Sequence, residues 1–501
     1  MYCLFFLTTI FVNCYCFVFC NKVCKPYRQF YLKDKFVPVF EEKTIDVEHT
    51  QSIFNKIDKS FFAQIGSNPR YTKDEDYHWF DGDGMIHGVL FKNNKISYQN
   101  RWIQTKRLQL EKKWKQKMFL YFGELKGFKG LLQILKFSLM QQLGFIPNSK
   151  GTANTALMNW HNRIFALHEG DMPYELNINF EKLNISTSKR LHYSNIYSTT
   201  AHPITDKTRD LLYLYGYNNY DFADGNFIFN IFDKEMNLLN QKNISLINNG
   251  MIHDVAFTGN EVIIPDLPLK YDVSRIMNEQ LPLFFDKENG NTRFGILNVN
   301  LNTEPLWFNF DENFFIFHFS RAYKKLNNYT IFACVMDNLF MEDFVELDNL
   351  HNEKHVIRGE IRLKQINIDA TTNKTEILTN PYIENLDLDF YYNLDFPITS
   401  KINEKYVYCT IFDAALGYIK GYVKINTDNF IDSKPEIFLF DKDVYGNSEP
   451  QTVIIDDVEH LLSFTNDETK SYISIINIED NIVESIEIPT RIPPGFHSIY
   501  F

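Results

Sequence analysis

The chain has 501 residues and a formal net charge of −12 at pH 7, so we expect no nucleic-acid partner. Hydrophobic residues make up 45% of the sequence and charged residues 23%, as in a folded globular protein. Aromatic residues are abundant at 16%, enough to build a large core and to line a long apolar cavity. Beyond residue 24 the only cysteines are Cys334 and Cys409, which excludes a disulfide framework for the body of the protein.

Residues 1–25 form an apolar, cysteine-rich segment that begins "MYCLFFLTTIFVNCYCFVFC". The run is close to the minimum length of a membrane span, but it lacks the basic residues that open a secretory signal. A cleaved signal, an uncleaved anchor and a plain hydrophobic extension are three open interpretations. Lys22, Lys25 and Arg28 follow the run and would favour a cytosolic body if it inserted. We expect a cytoplasmic location for the body of the protein, with an N-terminal signal or anchor as the open alternative.

From about residue 40 onward, short β-rich runs alternate with Asn, Asp and Gly turns. "GVLFKNNKISYQNRW" (88–102), "TIFACVMDN" (330–338) and "YISIINIEDNIVESIEIP" (472–489) are examples. The pattern of strand, turn and strand is typical of antiparallel hairpins. It continues for more than 400 residues without regular helical interludes. A β-propeller would protect that many strand edges, so we predict an all-β protein with a single domain over residues 26–501.

One stretch, residues 110–145, is helical in character. Its second part, "LKGFKGLLQILKFSLMQQLGF", places Leu, Ile, Phe and Met beside Lys126, Lys129 and Lys136. A basic amphipathic segment of this kind suits a membrane interface. The alternative is an ordinary helix whose apolar face covers the propeller.

Histidines supply the candidate metal ligands. Four of the thirteen lie in or beside apolar strands: His202, His253, His318 and His497. They are spread over nearly three hundred residues, as if several blades each sent one to a common axis. Four neutral imidazoles would suit iron, zinc or copper. At each position the alternative is a core histidine that is hydrogen-bonded to a neighbour.

Acidic residues in apolar surroundings could support such a site, because a ligating histidine normally donates its second N–H to a carboxylate or carbonyl group. The candidates are Glu169, Asp395 and Glu449, each of which could instead be a surface acid in a turn. His351 and His355 have the spacing of a metal pair but lie in a charged stretch that lacks the zincin context, so we predict no ligand role for them.

Ten segments in order resemble the carotenoid cleavage dioxygenases, in particular the plant branch that cuts the 9,10 bond. The segments are "IGSNPRY", "YHWFDGDGMIHGVLF", "FGELKGFKGLL", "GTANTALMNWHNRIFALHEGDMPYEL", "TTAHPITD", "MIHDVAFTGNEVIIPDLPL", "FIFHFSRAY", "LDFPI", "YGNSEP" and "IPPGFHSIYF". The resemblance covers residues 60–501 and does not extend to residues 1–40. It implies a seven-bladed propeller with a helical and loop cap over one face.

The resemblance also implies one Fe(II) per chain, held by His202, His253, His318 and His497. Glu169 would hold His253, Asp395 would hold His318, and Glu449 would hold His497, whereas His202 would have no carboxylate partner. With O2 as co-substrate, the protein would cleave a conjugated C=C bond of a carotenoid or apocarotenoid to give two carbonyl products. Because such a substrate dissolves in membranes, residues 118–145 would dock on one.

The sequence departs from the family after the third histidine, where Ser320, Arg321 and Lys324 replace the usual residues near the cavity mouth. Tyr98, Trp102 and Phe317 are candidates for the cavity wall. Within the family, stilbene cleavage and retinyl-ester isomerohydrolysis are alternatives. A noncatalytic propeller scaffold or a polyene carrier would be alternatives outside catalysis. Neither the bond that is cut nor the oligomeric state follows from the sequence.

Overall fold

The computed structural model describes residues 30–32, 34–72, 77–217, 226–248, 250–344 and 358–501. The apolar segment 1–25 and the pair His351 and His355 lie outside the described residues, so the predictions made for them stay predictions.

The strands of the described part of the chain form seven antiparallel blades, of which the last two are joined in one nine-stranded sheet. This confirms the predicted seven-bladed propeller. The first blade contains β1 (Thr44–Glu48), β2 (Phe61–Ser67), β3 (Gly84–Lys92), β4 (Lys95–Trp102) and the last strand of the chain, β32 (Ser498–Tyr500). The second contains β5 (Ala156–Trp160), β6 (Arg163–Leu167), β7 (Tyr174–Asn179) and β8 (Asn184–Arg190). The third contains β9 (Ile204–Asp206), β10 (Leu211–Tyr217), β11 (Asn226–Phe232) and β12 (Leu238–Ser245).

The fourth blade contains β13 (Ala256–Phe257), β14 (Glu261–Asp266), β17 (Arg293–Asn298) and β18 (Leu306–Asn309), with an inserted hairpin of β15 (Leu269–Tyr271) and β16 (Leu283–Phe285). The fifth contains β19 (Phe315–Lys325), β20 (Asn328–Met336), β21 (Ile361–Asp369) and β22 (Lys374–Leu378). The sixth contains β23 (Tyr392–Thr399), β24 (Tyr406–Asp413), β25 (Tyr418–Asn426) and β26 (Glu436–Leu439). The seventh contains β28 (Gln451–Ile455), β29 (Val458–Asn466), β30 (Ser471–Asn477) and β31 (Ile482–Ile488), and β27 (Tyr445–Gly446) joins it to the sixth.

The apolar C-terminus is explained by the closure of the ring. Strand β32 pairs with β2, with Phe62 opposite Tyr500 and Ala63 opposite Ile499. It also lies against β5 of the second blade and β28 of the seventh. The last residues of the chain thus complete the first blade, which otherwise comes from the N-terminal half.

Apolar side chains between adjacent blades form the core. Phe62 and Val89 of the first blade pack with Phe464 and Ile473 of the seventh. All seven residues of β2 are buried, because this strand is covered on both faces by neighbouring blades. The hydrophobic effect therefore stabilises the ring at every contact between blades.

The predicted helical stretch is two helices, α1 (Lys106–Trp114) and α2 (Gly127–Gln142), with a turn of 3-10 helix between them. Helix α1 ends at Trp114, and the next residue, Lys115, caps it with a left-handed φ of 54°. The carboxylate of Glu111 then accepts hydrogen bonds from the backbone N–H groups of Met118 and Phe119 at 2.9 and 3.3 Å. A short third helix, α3 (Pro381–Glu384), precedes the sixth blade. In the described ranges, the helices are too short or too polar to span a bilayer.

Candidate metal centre

The structure brings His202, His253, His318 and His497 together. Their closest ring nitrogens all lie within 4.8 Å of one another. His202 Nε2 is 3.0 Å from His253 Nε2, which is 3.2 Å from His318 Nε2. Residues 51 to 295 positions apart in the sequence therefore point one nitrogen each into the same small volume.

The four histidines come from the inner edges of four blades. His202, His253 and His497 each precede the innermost strand of a blade: β9, β13 and β32. His318 differs, because it lies within β19 at a point where the pairing with β20 shifts register. Such an irregularity re-aims a side chain, and here it places the imidazole among the other three.

Three histidines have a carboxylate behind them. His253 Nδ1 lies 2.6 Å from Glu169 Oε1 and His318 Nδ1 lies 2.8 Å from Asp395 Oδ1. His497 Nδ1 lies 3.3 Å from Glu449 Oε2. The structure shows no carboxylate in contact with His202 among the described residues; its backbone N–H donates to Thr200 Oγ1 at 2.7 Å.

Each blade therefore contributes one residue to the arrangement. The first, third, fourth and fifth supply His497, His202, His253 and His318, and the second, sixth and seventh supply Glu169, Asp395 and Glu449. The contact of His253 with Glu169 joins the fourth blade to the second across the third. The other two contacts join neighbouring blades.

The donor chemistry of this cluster fits a metal ion. An ionised carboxylate only accepts hydrogen bonds, so the Nδ1 atoms that face Glu169 and Asp395 carry the protons. In neutral imidazoles this leaves lone pairs on Nε2 of His253 and His318, which face each other at 3.2 Å. Two lone pairs cannot form a hydrogen bond, whereas a cation between them would bind both.

The pKa shifts have the same origin. Burial, and then the neighbouring imidazoles His497, His253 and His318, hold the pKa of His202 well below its usual range. Burial also lowers the pKa of His318, although Asp395 opposes it. Burial would raise the pKa of Glu169, but contact with His253 outweighs it and lowers this pKa to about 2. Burial would lower the pKa of His253, but Glu169 outweighs it and raises this pKa. The centre therefore favours neutral imidazoles at His202 and His318 and sets an ionised carboxylate behind His253.

A cavity of about 570 Å³ opens onto the histidines and runs to helix α2. His253, His318 and His497 form part of its wall, and aromatic rings form much of the rest. These rings belong to Trp79, Phe80, Phe119, Tyr121, Phe122, Phe137, Tyr271, Phe317, Phe396, Phe412 and Phe496. The volume and the apolar lining are typical of a small-molecule site.

Of the three residues predicted to line the cavity wall, only Phe317 lies there. Phe317 lines the cavity, with its ring 5.2 Å from the ring of His253. Tyr98 and Trp102 do not line it: they are buried inside the first blade, where their polar atoms bond to His87 and to the carbonyl of Asn68. Both lie in β4, on the far side of β3 from the axis.

Other wall residues were not foreseen. His168 lines the cavity and its Nδ1 accepts a hydrogen bond from the Gly170 N–H at 2.9 Å. Lys150 lies in the loop before β5, where no periodic pattern marks it. The sequence could have identified His168 only through its position next to Glu169, which was already a candidate.

The departures from the family pattern lie outside the cavity wall. Arg321 Nη1 bonds to Asp428 Oδ1 and Lys324 Nζ to Glu261 Oε1, at 2.8 and 2.7 Å. Ser320 Oγ is 3.2 Å from Thr399 Oγ1. These polar residues stabilise contacts of β19 with its surroundings and leave the histidine cluster unchanged.

Known proteins resemble the chain in sequence and in fold. Carotenoid 9,10(9',10')-cleavage dioxygenase 1 of Pisum sativum is 29% identical, over 94% of this chain and 89% of the relative. The corresponding protein of Arabidopsis thaliana is 28% identical, over 88% and 83%. The lignostilbene dioxygenase of Pseudomonas brassicacearum superposes with a TM-score of 0.76 at 18% identity, over 95% of this chain and 99% of that one.

A cobalt-substituted apocarotenoid oxygenase from Synechocystis superposes with a TM-score of 0.71 at 17% identity, over 93% of this chain and 97% of that one. At 18% and 17% identity, these two structural matches show a shared fold and nothing further. The model of the family described as "Retinal pigment epithelial membrane protein" matches residues 41–501, which is most of the chain. The chain therefore belongs to this family, the carotenoid oxygenases.

Proposed function

We propose that the protein is a non-haem iron dioxygenase that cleaves a conjugated C=C bond of a carotenoid or apocarotenoid. One O2 would add across the bond, and each carbon would leave with one oxygen atom, giving two carbonyl products. The observation that carries the proposal is the cluster of four imidazoles, three of them backed by carboxylates, at the end of an aromatic cavity. The cleavage activity named for the plant relatives supports this choice of substrate.

His202, His253, His318 and His497 would hold the metal, one Fe(II) per chain. When bound, iron would supply the O2 chemistry that side chains cannot perform. Glu169, Asp395 and Glu449 would keep their histidines in the tautomer that presents Nε2 and would balance the charge of the ion. The side chains of this protein would thus hold the metal and orient its ligands. The proposed cleavage requires no protein acid or base.

The cavity would position the polyene and exclude water. The ring of Phe396 lies 5.0 Å from the rings of both His318 and His497, so a chain that reaches the centre passes an aromatic face. Rings attract cations, and Phe317 and Phe396 would stabilise positive charge that develops on the polyene. An apolar wall also suits a substrate with few polar atoms.

The position of α2 supports the proposal that the protein docks on a membrane. Ile134, Phe137 and Ser138 of this helix line the cavity, whereas Phe128 and Leu135 are 67% and 66% exposed. Leu132, Leu139, Leu143 and Phe145 continue the exposed apolar surface. The same helix therefore borders the cavity and faces outward, so that a lipid-soluble substrate could pass from bilayer to cavity. A cytoplasmic protein peripheral to a membrane is the localisation that accords with this.

Expression of the full chain in bacteria that accumulate carotenoids would test the activity. We expect loss of colour and paired carbonyl fragments by mass spectrometry, with label from 18O2 in both fragments. The fragment masses would identify the bond. Cells that express His318→Ala should keep their carotenoids. Unchanged carotenoids and apocarotenoids in the presence of soluble, iron-loaded protein would overturn the proposal.

A further inference from the structure

The charged side chains in the cavity wall are almost all neutralised by the protein. Glu169 and Asp395 face His253 and His318. Arg107 donates to the backbone carbonyl of Asp81, and Asp81 accepts a hydrogen bond from the Phe122 N–H at 2.7 Å. Asp83, Asp81 and Glu111 surround the guanidinium of Arg107 and offset its charge. The protein therefore offsets the charges of these groups without a ligand, although Nε of Arg107 has no hydrogen-bond partner among the described residues.

Lys150 is the exception. It lines the cavity, and in the described part of the chain no hydrogen bond or ion pair joins its ammonium to another group. The residue is accessible to solvent, yet burial among protein atoms lowers the pKa of its ammonium, and no acidic neighbour opposes that shift. A side chain that is both accessible and desolvated lies at the wall of a concave space, which here is the cavity.

Because Lys150 is exposed and no group of the described residues accepts from its ammonium, only water or an acceptor on a bound ligand can do so. Hydrogen bonds to charged groups are stronger than those between neutral groups, and they discriminate sharply between a ligand that has the acceptor and one that lacks it. A polyene hydrocarbon offers no acceptor, whereas an oxygen atom at the end of the polyene does.

We propose that Lys150 is a specificity-determining residue that binds an oxygen atom at the end of the substrate remote from the bond that is cut. The inference rests on the proposed function and narrows the substrate class to oxygenated polyenes. The oxygen can belong to a hydroxyl or to a carboxylate, and the carboxylate binds more tightly because its charge opposes that of the ammonium.

Equilibrium binding to the metal-free protein tests this without turnover. The probes are three apocarotenoids with the same polyene that end in a methyl group, an alcohol or a carboxylate. Trp79 lines the cavity, so quenching of tryptophan fluorescence reports binding. We expect the wild type to bind the carboxylate at least about tenfold more tightly than the methyl compound, with the alcohol between them.

In Lys150→Met this preference should disappear while the methyl compound binds as it does to the wild type. Lys150→Arg should retain the preference for the carboxylate. The matched control is Lys182→Met, which removes an exposed lysine from the turn between β7 and β8 and should keep the preference. Lys150→Gln replaces the methionine variant if that variant lacks the circular dichroism of the wild type.

The inference is wrong if the wild type binds the three compounds equally, or if both neutral variants retain the preference. Failure of the proposed function would look different. The iron-loaded wild type would then leave all three compounds intact while the binding preference, and its dependence on Lys150, remained.

Discussion

At the scale of single residues, the proton on each histidine decides whether the cluster binds metal. The carboxylate of Asp395 can only accept a hydrogen bond, so it fixes a proton on His318 Nδ1, which is 2.8 Å away. The lone pair of Nε2 then remains free to bind the metal ion. Its negative charge also increases the basicity of the ring. The carboxylate therefore acts on the metal through the histidine, without touching it.

Asp395→Asn should weaken metal binding by about 10- to 100-fold, because the amide keeps the size of the side chain but removes its charge. Competition with a chelator of known affinity measures the change. Asp395→Glu, which restores the carboxylate, should recover most of the affinity, and His318→Ala should bind no metal at this site. Wild-type affinity in Asp395→Asn would show that the carboxylate does not support His318.

The residues that sequence alone could identify are those whose environment is local. Each candidate histidine lies in or beside an apolar strand, and this pattern is visible without the fold. The cavity wall is different, because it depends on how the layers of a blade are ordered. Tyr98 and Trp102 have the composition of wall residues, but β4 is separated from the axis by β3, β2 and β32. That order requires β32 to join from the other end of the chain.

At the scale of elements, the three-residue strand β32 has two structural roles. It closes the ring through its pairing with β2, and it fixes the backbone next to His497. Ile499 packs against the core shared with the second blade and Tyr500 against the core shared with the seventh. The terminal strand therefore couples the stability of the ring to the position of one ligand.

Deletion of residues 498–501 should lower both the melting temperature and the metal affinity, the latter by at least about tenfold, although His497 itself remains. Two largely buried apolar side chains are lost, worth about 1.5–3 kcal/mol each when fully buried. Calorimetry and chelator competition measure the two effects. Phe501→Ala is the control, since Phe501 is 36% exposed and lies beyond the strand. Unchanged metal affinity in the deletion variant would separate ring closure from ligand placement.

The helical segment shows why local pattern and local structure can differ. The apolar spacing over residues 110–145 predicts helix throughout, and both helices do form within or next to it. The interruption depends on Glu111, whose side chain binds the backbone of Met118 and Phe119 and replaces the next helical turn. A glutamate is otherwise a good helix former, so its propensity gives no sign of this role.

Replacement of Phe128, Leu135 and Leu139 by serine should release the protein from liposomes while the fold persists, because these side chains are exposed on α2. Cosedimentation with neutral and anionic vesicles measures binding. The control is Leu238→Ser with Leu239→Ser, which removes exposed apolar side chains from β12 in the third blade. Vesicle binding that survives in the triple variant and falls in the control would place the docking surface elsewhere.

At the scale of the whole molecule, the metal centre joins blades that are distant in sequence. Its seven residues come from seven blades, and the contact of His253 with Glu169 spans the third blade. An unfolded chain would have to bring together ligands up to 295 residues apart, so a preformed centre does not exist before folding. Metal that binds only the folded ring then stabilises the ring as a unit.

Removal of metal should therefore lower the melting temperature of the wild type and leave it folded. At a free metal concentration of 100 times Kd, the loss on chelation is about 2.7 kcal/mol in the free energy of unfolding. Calorimetry with and without a chelator measures the shift, which should grow with the logarithm of the metal concentration. His202→Ala, which lacks one of the four ligands, should show a much smaller response to the chelator. If the wild type and His202→Ala respond equally, the stabilising metal binds at another site and the four imidazoles do not link the blades.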